Sequence, residues 1–131
     1  MTGVRGLGHI NIRAPAALIW ELRQFYIDIV GLREGPRPTF RSGSNGHWLY
    51  AGDLDVVHLS VATDRGSSEA PRSTGWLNHI AFACSDLSAT LAVLEENAIE
   101  YELDEVDALN QVQIFLTDPA GIVVELTFLR P

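Results

Sequence analysis

Residues 78–98, "NHIAFACSDLSATLAVLEENA", restate the grammar of residues 8–28, "GHINIRAPAALIWELRQFYID", at a shift of 70. Each stretch runs through a His-Ile pair, two more alternating residues, a helix opener and an amphipathic helix. Working outward, "VQIFLTDPAGIVVELTF" (112–128) parallels "HWLYAGDLDVVHLSV" (47–61): a strand, a tight turn and a second strand. Each half is thus predicted to be strand–helix–strand–strand–strand, the strand after the helix having the weakest pattern. The fold class is α+β, built from paired βαβββ modules. They span about 1–63 and 76–131, joined by the polar, turn-rich linker 64–75, "DRGSSEAPRSTG". A module of this size cannot bury its sheet alone, so the two are expected to pack as a single domain.

Within the first half, a strand is expected over Leu7–Ile12. A helix opens at Pro15 and runs to about Val30, with Leu18, Leu22, Phe25 and Ile29 as its apolar stripe and Gly31 as its C-terminal cap. A short strand is placed around Thr39–Arg41. "HWLYAG" and "DVVHLSVA" follow as strands about a Gly52-Asp53 turn. In the second half, Ser85 or Asp86 can cap the helix, whose buried face is Leu87, Leu91 and Leu94.

Composition narrows the classes. The chain has 131 residues, 47% hydrophobic and 20% charged, as in ordinary globular domains. Its net charge of −8 and pI near 4.8 argue against nucleic acid and against an anionic membrane surface as partners. The apolar runs are strand-sized and too short to cross a membrane. The start, "MTGVRGLGHINIRAP", lacks the pattern of a secretory signal. A single cysteine, Cys84, allows no intrachain disulfide, and a cytoplasmic location is the default expectation. All nine basic residues are arginine, to which no function attaches.

The chemistry lies in polar residues on apolar strands. "GIVVELTF" (121–128) suits a packed pleated surface except at Glu125, whose charge is costly there unless paired or bound to a metal. In the alignment of halves, His9 maps to His79, and His58 maps to Glu125 at a shift of 67. Strand alternation sets His58 with Val56 and Ser60, away from Val57, Leu59 and Val61. It sets His79 with Ala81 and Ala83, and Glu125 with Val123 and Thr127. Three imidazoles and a carboxylate are an ordinary ligand set for Zn²⁺, Ni²⁺, Fe²⁺, Mn²⁺ or Co²⁺. A lone strand histidine is generally a hydrogen-bonded core residue; four candidates at symmetry-matched positions favour a metal. His47 breaks the symmetry and is placed at the surface or a pocket rim. Trp48, Tyr50, Trp76 and Phe115 are pocket-wall or core aromatics. Arg37 and Arg41 belong to a solvated face or an anion site, and Asp118 to a turn.

On "LGHINI…FYIDIVGL", "DVVHLSV", "LNHIAFACSDLSATLAVLEENAIEY" and above all "FLTDPAGIVVELTF", the chain resembles the vicinal oxygen chelate superfamily. That superfamily includes glyoxalase I, extradiol dioxygenases, methylmalonyl-CoA epimerase, and fosfomycin- and bleomycin-resistance proteins. The resemblance implies a glyoxalase/dioxygenase-like fold, paired βαβββ modules forming a curled mixed sheet around a central site. It implies metal ligands at His9, His58, His79 and Glu125, with Glu125 also the possible catalytic base. The substrate is a small molecule that chelates the metal through adjacent oxygens. Arg13, Trp48, Tyr50 and Phe115 are its implied contacts, and a homodimer is the expected assembly. Departures separate the activities. Bacterial glyoxalase I usually has Glu where His58 stands. Arg13 matches its glutathione-recognising Arg, but Ala62 replaces an Asn. Extradiol dioxygenases have a Tyr where Phe115 stands. The leading expectation is a glyoxalase-I-like lyase or isomerase. An Fe(II) extradiol dioxygenase and a metal-free bleomycin-resistance-type binding protein are the alternatives.

Overall fold

The computed structural model describes residues 3–63 and 74–130. The expected linker 64–75 lies outside the described residues apart from Thr74 and Gly75. The chain divides into two compact units, Met1–Glu69 and Ala70–Pro131. The first contains β1 (Ile10–Ala14), α1 (Ala16–Phe25), a π-helical turn (Tyr26–Val30), β2 (Arg33–Gly35), β3 (Gly46–Ala51) and β4 (Leu54–Val61). The second contains β5 (His79–Cys84), α2 (Leu87–Glu96), β6 (Glu102–Val106), β7 (Gln111–Thr117) and β8 (Val123–Leu129).

Each unit has one four-stranded mixed sheet, ordered β1-β4-β3-β2 and β5-β8-β7-β6. The outer pair is parallel in both (β1 with β4, β5 with β8), and the remaining pairs are antiparallel. This is the βαβββ module twice over, as expected for the α+β class. The repeat extends to the register. Ile10 pairs with Val57 and Ile80 with Val124, so Asn11 stands beside His58 as Ala81 stands beside Glu125. One strand further, Trp48 pairs with His58 and Phe115 with Glu125. Opposed residues share a sheet face, and this arithmetic puts each candidate ligand next to an aromatic ring.

Burial follows strand alternation. Val57, Leu59, Val124 and Leu126 are almost wholly buried, and these are the positions assigned to the helix-packed faces. In the first unit Ile19, Leu22, Phe25 and Tyr26 supply the helix contribution. The expected stripe was therefore half right. Leu18 and Ile29 are only half-buried: within the regular helix Ile19, not Leu18, takes the buried place beside Leu22, and the π turn after Phe25 breaks the α spacing that put Ile29 on the stripe. Gly31 ends that turn in the left-handed region, at φ +94°, where a side chain is disfavoured. In α2 the N-cap is Asp86, whose carboxylate accepts from the Ala89 amide at 3.0 Å.

Two sequence expectations need correction. The strand placed around Thr39–Arg41 is instead β2 at Arg33–Gly35, directly after the Gly31 cap, where it pairs with Trp48–Tyr50. The first strand begins at Ile10 and runs to Ala14, so His9 stands just before it, exposed.

Candidate metal centre

In the N-terminal unit, His58 is 8% exposed and its ring is the middle layer of three. The His9 imidazole stacks on one side, with centroids 3.7 Å apart and planes at 16°. The Trp48 indole stacks on the other at 3.9 Å and 7°. Trp48 reaches this place because β3 pairs it directly with His58. At the ring edge, Nε2 of His58 lies 2.6 Å from Oδ2 of Asp55. That hydrogen bond holds the Asp55 carboxyl below its ordinary range. A backbone hydrogen bond and the nearby His58 and His9 rings act in the same direction, against a smaller effect of burial. One ligand atom each from His9, Asp55 and His58 falls within 4.8 Å of the others.

Asp55 is the residue the sequence pattern missed. Strict alternation along β4 puts it with Val57 and Leu59, on the helix-packed face. The pairing, however, steps from Leu49–Val57 to Tyr50–Asp55, leaving Val56 as the extra residue of a β-bulge. A bulge re-aims the side chains beside it, and this one turns Asp55 toward His58. An Asp-x-x-His spacing carries no signal in a regular strand.

In the C-terminal unit, Glu125 is 8% exposed and has two partners. The Thr127 hydroxyl donates to Oε2 at 2.6 Å, and His79 Nε2 lies 3.3 Å from Oε1. His79 Nδ1 meets Asn78 Oδ1 at 2.8 Å. When Nδ1 carries the proton and donates it to Asn78, the neutral ring turns a lone pair toward a carboxylate oxygen. Two acceptors so close call for a shared proton or cation. Phe115 stands edge-on to His79, with centroids 6.1 Å apart at 87°. With Glu102, Leu103 and Asp104, Phe115 lines a shallow cavity of about 320 Å³.

The remaining predicted residues divide. Arg13 pairs with Ser60 and so shares the His58 face, where Asn11 Nδ2 also donates to Ser60 Oγ at 2.7 Å. Tyr50 is tied elsewhere: its hydroxyl donates to the Pro36 carbonyl at 2.5 Å, and the Arg33 guanidinium lies over its ring. His47 is half-buried in an ion cluster, with Nδ1 2.5 Å from Glu34 Oε2, while Arg23 holds Glu34 Oε1 at 2.7–2.9 Å. Burial raises the Glu34 carboxyl, but the Arg23 and His47 hydrogen bonds and charges together leave it below its ordinary value. Asp118 is a turn residue as expected, its Oδ1 accepting from the Ala120 and Ile122 amides at 2.8 and 2.9 Å.

This fold recurs in solved structures. A glyoxalase family protein from Bacillus anthracis superposes with a TM-score of 0.74 at 23% identity, over 99% of both chains. A glyoxalase/dioxygenase from Nostoc punctiforme gives 0.73 at 19%, over 98% of this chain and 94% of that one. TnmS3, an antibiotic binding protein from Streptomyces sp. CB03234, gives 0.63 at 16%, over 98% of both. The fold is that of the vicinal oxygen chelate superfamily, as the sequence resemblance implied. In sequence, the chain is 29% identical over 129 residues to the uncharacterized protein YaeR of Escherichia coli (strain K12), covering 96% of this chain and 98% of YaeR. No family model matches the chain. Likenesses at these identities define a scaffold shared by enzymes and binding proteins, and the chemistry has to be argued from the side chains. Among the described residues, no helix is long and apolar enough to cross a membrane.

Proposed function

We propose that the chain is a divalent-metal-dependent enzyme of the glyoxalase-I-like type, a lyase or isomerase acting on a small molecule with two adjacent oxygens. The observation that carries this reading is the doubled carboxylate–imidazole pair. His79 Nε2 faces Glu125 in the second unit, and His58 Nε2 faces Asp55 in the first. His58 and Glu125 occupy the same register position. Such N/O donor sets suit Ni²⁺, Zn²⁺, Fe²⁺, Mn²⁺ or Co²⁺. The expected ligands are His9 and His58 of the first unit and His79 and Glu125 of the second. When bound, the cation polarises substrate oxygens as a Lewis acid.

The protein groups have separate tasks. Glu125 is both ligand and general base: Thr127 occupies Oε2, leaving Oε1 on the His79 side. In the first unit Trp48 is the substrate contact beside His58, and Arg13 brings positive charge to the same sheet face; in the second, Phe115 is the contact beside His79. Tyr50 acts through the Pro36 carbonyl, fixing the loop after β2. The working form is a homodimer.

Protein purified without chelator is expected to retain a divalent metal by elemental analysis and to lose thermal stability in EDTA, regaining it with Ni²⁺, Zn²⁺, Mn²⁺ or Fe²⁺. A metal-free protein that none of these ions stabilises overturns the proposal. The likeness to TnmS3 favours a second reading, a metal-free binding protein. Stabilisation by bleomycin-like or other antibiotics that persists in EDTA would select it. Oxygen uptake with catechols would select the dioxygenase reading instead.

A further inference from the structure

Asp55 stands outside the four ligand positions of the proposed centre, yet it is the acidic group in contact with His58. We propose that Asp55 is itself a metal ligand, and that His9, Asp55 and His58 form a two-histidine, one-carboxylate site able to hold a divalent cation within the N-terminal unit alone. This deepens the metal-enzyme reading and rests on it.

Three features of the geometry support the assignment. First, the spacing fits. Donors bonded to one cation at about 2.1 Å sit roughly 3 Å apart when adjacent. Asp55 Oδ2 and His58 Nε2 are 2.6 Å apart, and one donor atom from each of the three residues falls within 4.8 Å of the others. The cation takes the place of the shared proton. Second, the carboxylate is delivered by a structural device, because only the bulge at Val56 takes Asp55 off the helix-packed face. Third, the rings differ in freedom. His58 is buried and pinned flat against Trp48, whereas His9 is exposed and precedes β1. Stacked rings point their in-plane lone pairs in parallel rather than at one point. His9 is the ring that must tilt to close the site, and its position permits this.

A 2-His-1-carboxylate set with open positions suits Fe²⁺, and equally Co²⁺ as a spectroscopic substitute. The test is Co²⁺ binding, followed by equilibrium dialysis and by visible absorption. It compares the wild type, the double variant His79→Ala/Glu125→Gln, Asp55→Asn, and the triple combination. Asn preserves shape at a part-exposed position, and circular dichroism checks each fold. The double variant is expected to keep one Co²⁺ per chain. Asp55→Asn alone should weaken binding by at least about 10–100-fold, and the triple variant should bind none. A folded double variant that takes up no Co²⁺ while the wild type does, or an Asp55→Asn protein that binds like wild type, overturns this inference and leaves the four-ligand centre standing. A wild type that binds no metal overturns both.

Discussion

His58 and Glu125 occupy matching places in two sheets of identical strand order and register, but their surroundings differ. His58 is sandwiched between two flat rings and meets a carboxylate through a bulge. Glu125 lies in an unbulged strand, accepts a hydrogen bond from the hydroxyl of Thr127 two residues on, and meets an imidazole on the adjacent strand. The aromatic residue beside each is matched in position, yet Trp48 lies flat on its partner while Phe115 stands edge-on to His79. Repetition preserved the scaffold and the slots. What fills each slot, and how the rings turn, diverged. A carboxylate–imidazole pair appears in both halves by different routes: along one strand in the first, and across two strands in the second.

The largest expected difference between halves lies in how each helix is held. Three residues of α1 (Ile19, Leu22 and Phe25) are buried, whereas Leu94 is the fully buried residue of α2. Leu22→Ala and Leu94→Ala should each cost about 2–5 kcal/mol in urea unfolding. Only Leu94→Ala should also raise hydrogen exchange throughout its helix, because α1 keeps two other anchors. Equal exchange in the two helices would break this contrast.

The strand-joining turns offer a smaller effect. Between β7 and β8, buried Asp118 satisfies two backbone amides, while the β3–β4 turn at Gly52-Asp53 is exposed. Asp118→Ala should cost about 1–3 kcal/mol by leaving those amides unpartnered. Asp53→Ala should be near neutral by the same unfolding measurement.

The smallest effect concerns surface charge. Glu34 is lowered in the fold, so its contribution is present above the unfolded value of 4.5 and is lost as pH falls through the folded value. Glu34→Gln should lower stability at pH 7 by a fraction of ~1 kcal/mol, read as a slightly lower melting temperature, since a third-exposed cluster is screened by solvent. The gap should close in acid. Arg130→Ala in the other half removes contacts to the more exposed Glu105 and Asp107 and should move stability less. An Arg130 effect larger than that of Glu34 would reverse this ranking.

Much of this was legible in the chain. The repeat at shifts of 70 and 67 predicted the module and its duplication, with His58 and Glu125 at matching places; the pairing that sets Asn11 beside His58 as Ala81 beside Glu125 came from the structure. The buried carboxylate at Glu125 was recognisable as an anomaly, and Thr127 was placed on its face by alternation; the contact with His79 came from the β5–β8 pairing, which no sequence pattern specified. β2 was misplaced because a three-residue edge strand has too few positions to show a period. Ile29 left the expected stripe because a π turn changes the residue count per turn, which no hydrophobic pattern announces.

By itself, then, the sequence determined the architecture, because periodic burial and a doubled motif leave few ways to pair the strands. Tertiary structure alone decided that Asp55 meets His58, that His58 lies between His9 and Trp48, and that Tyr50 is tied to Pro36. The physical reason is shared. A bulge, a ring rotation or a hydroxyl contact moves atoms by a few ångströms without altering the apolar pattern, and that distance separates two neighbouring side chains from a ligand set.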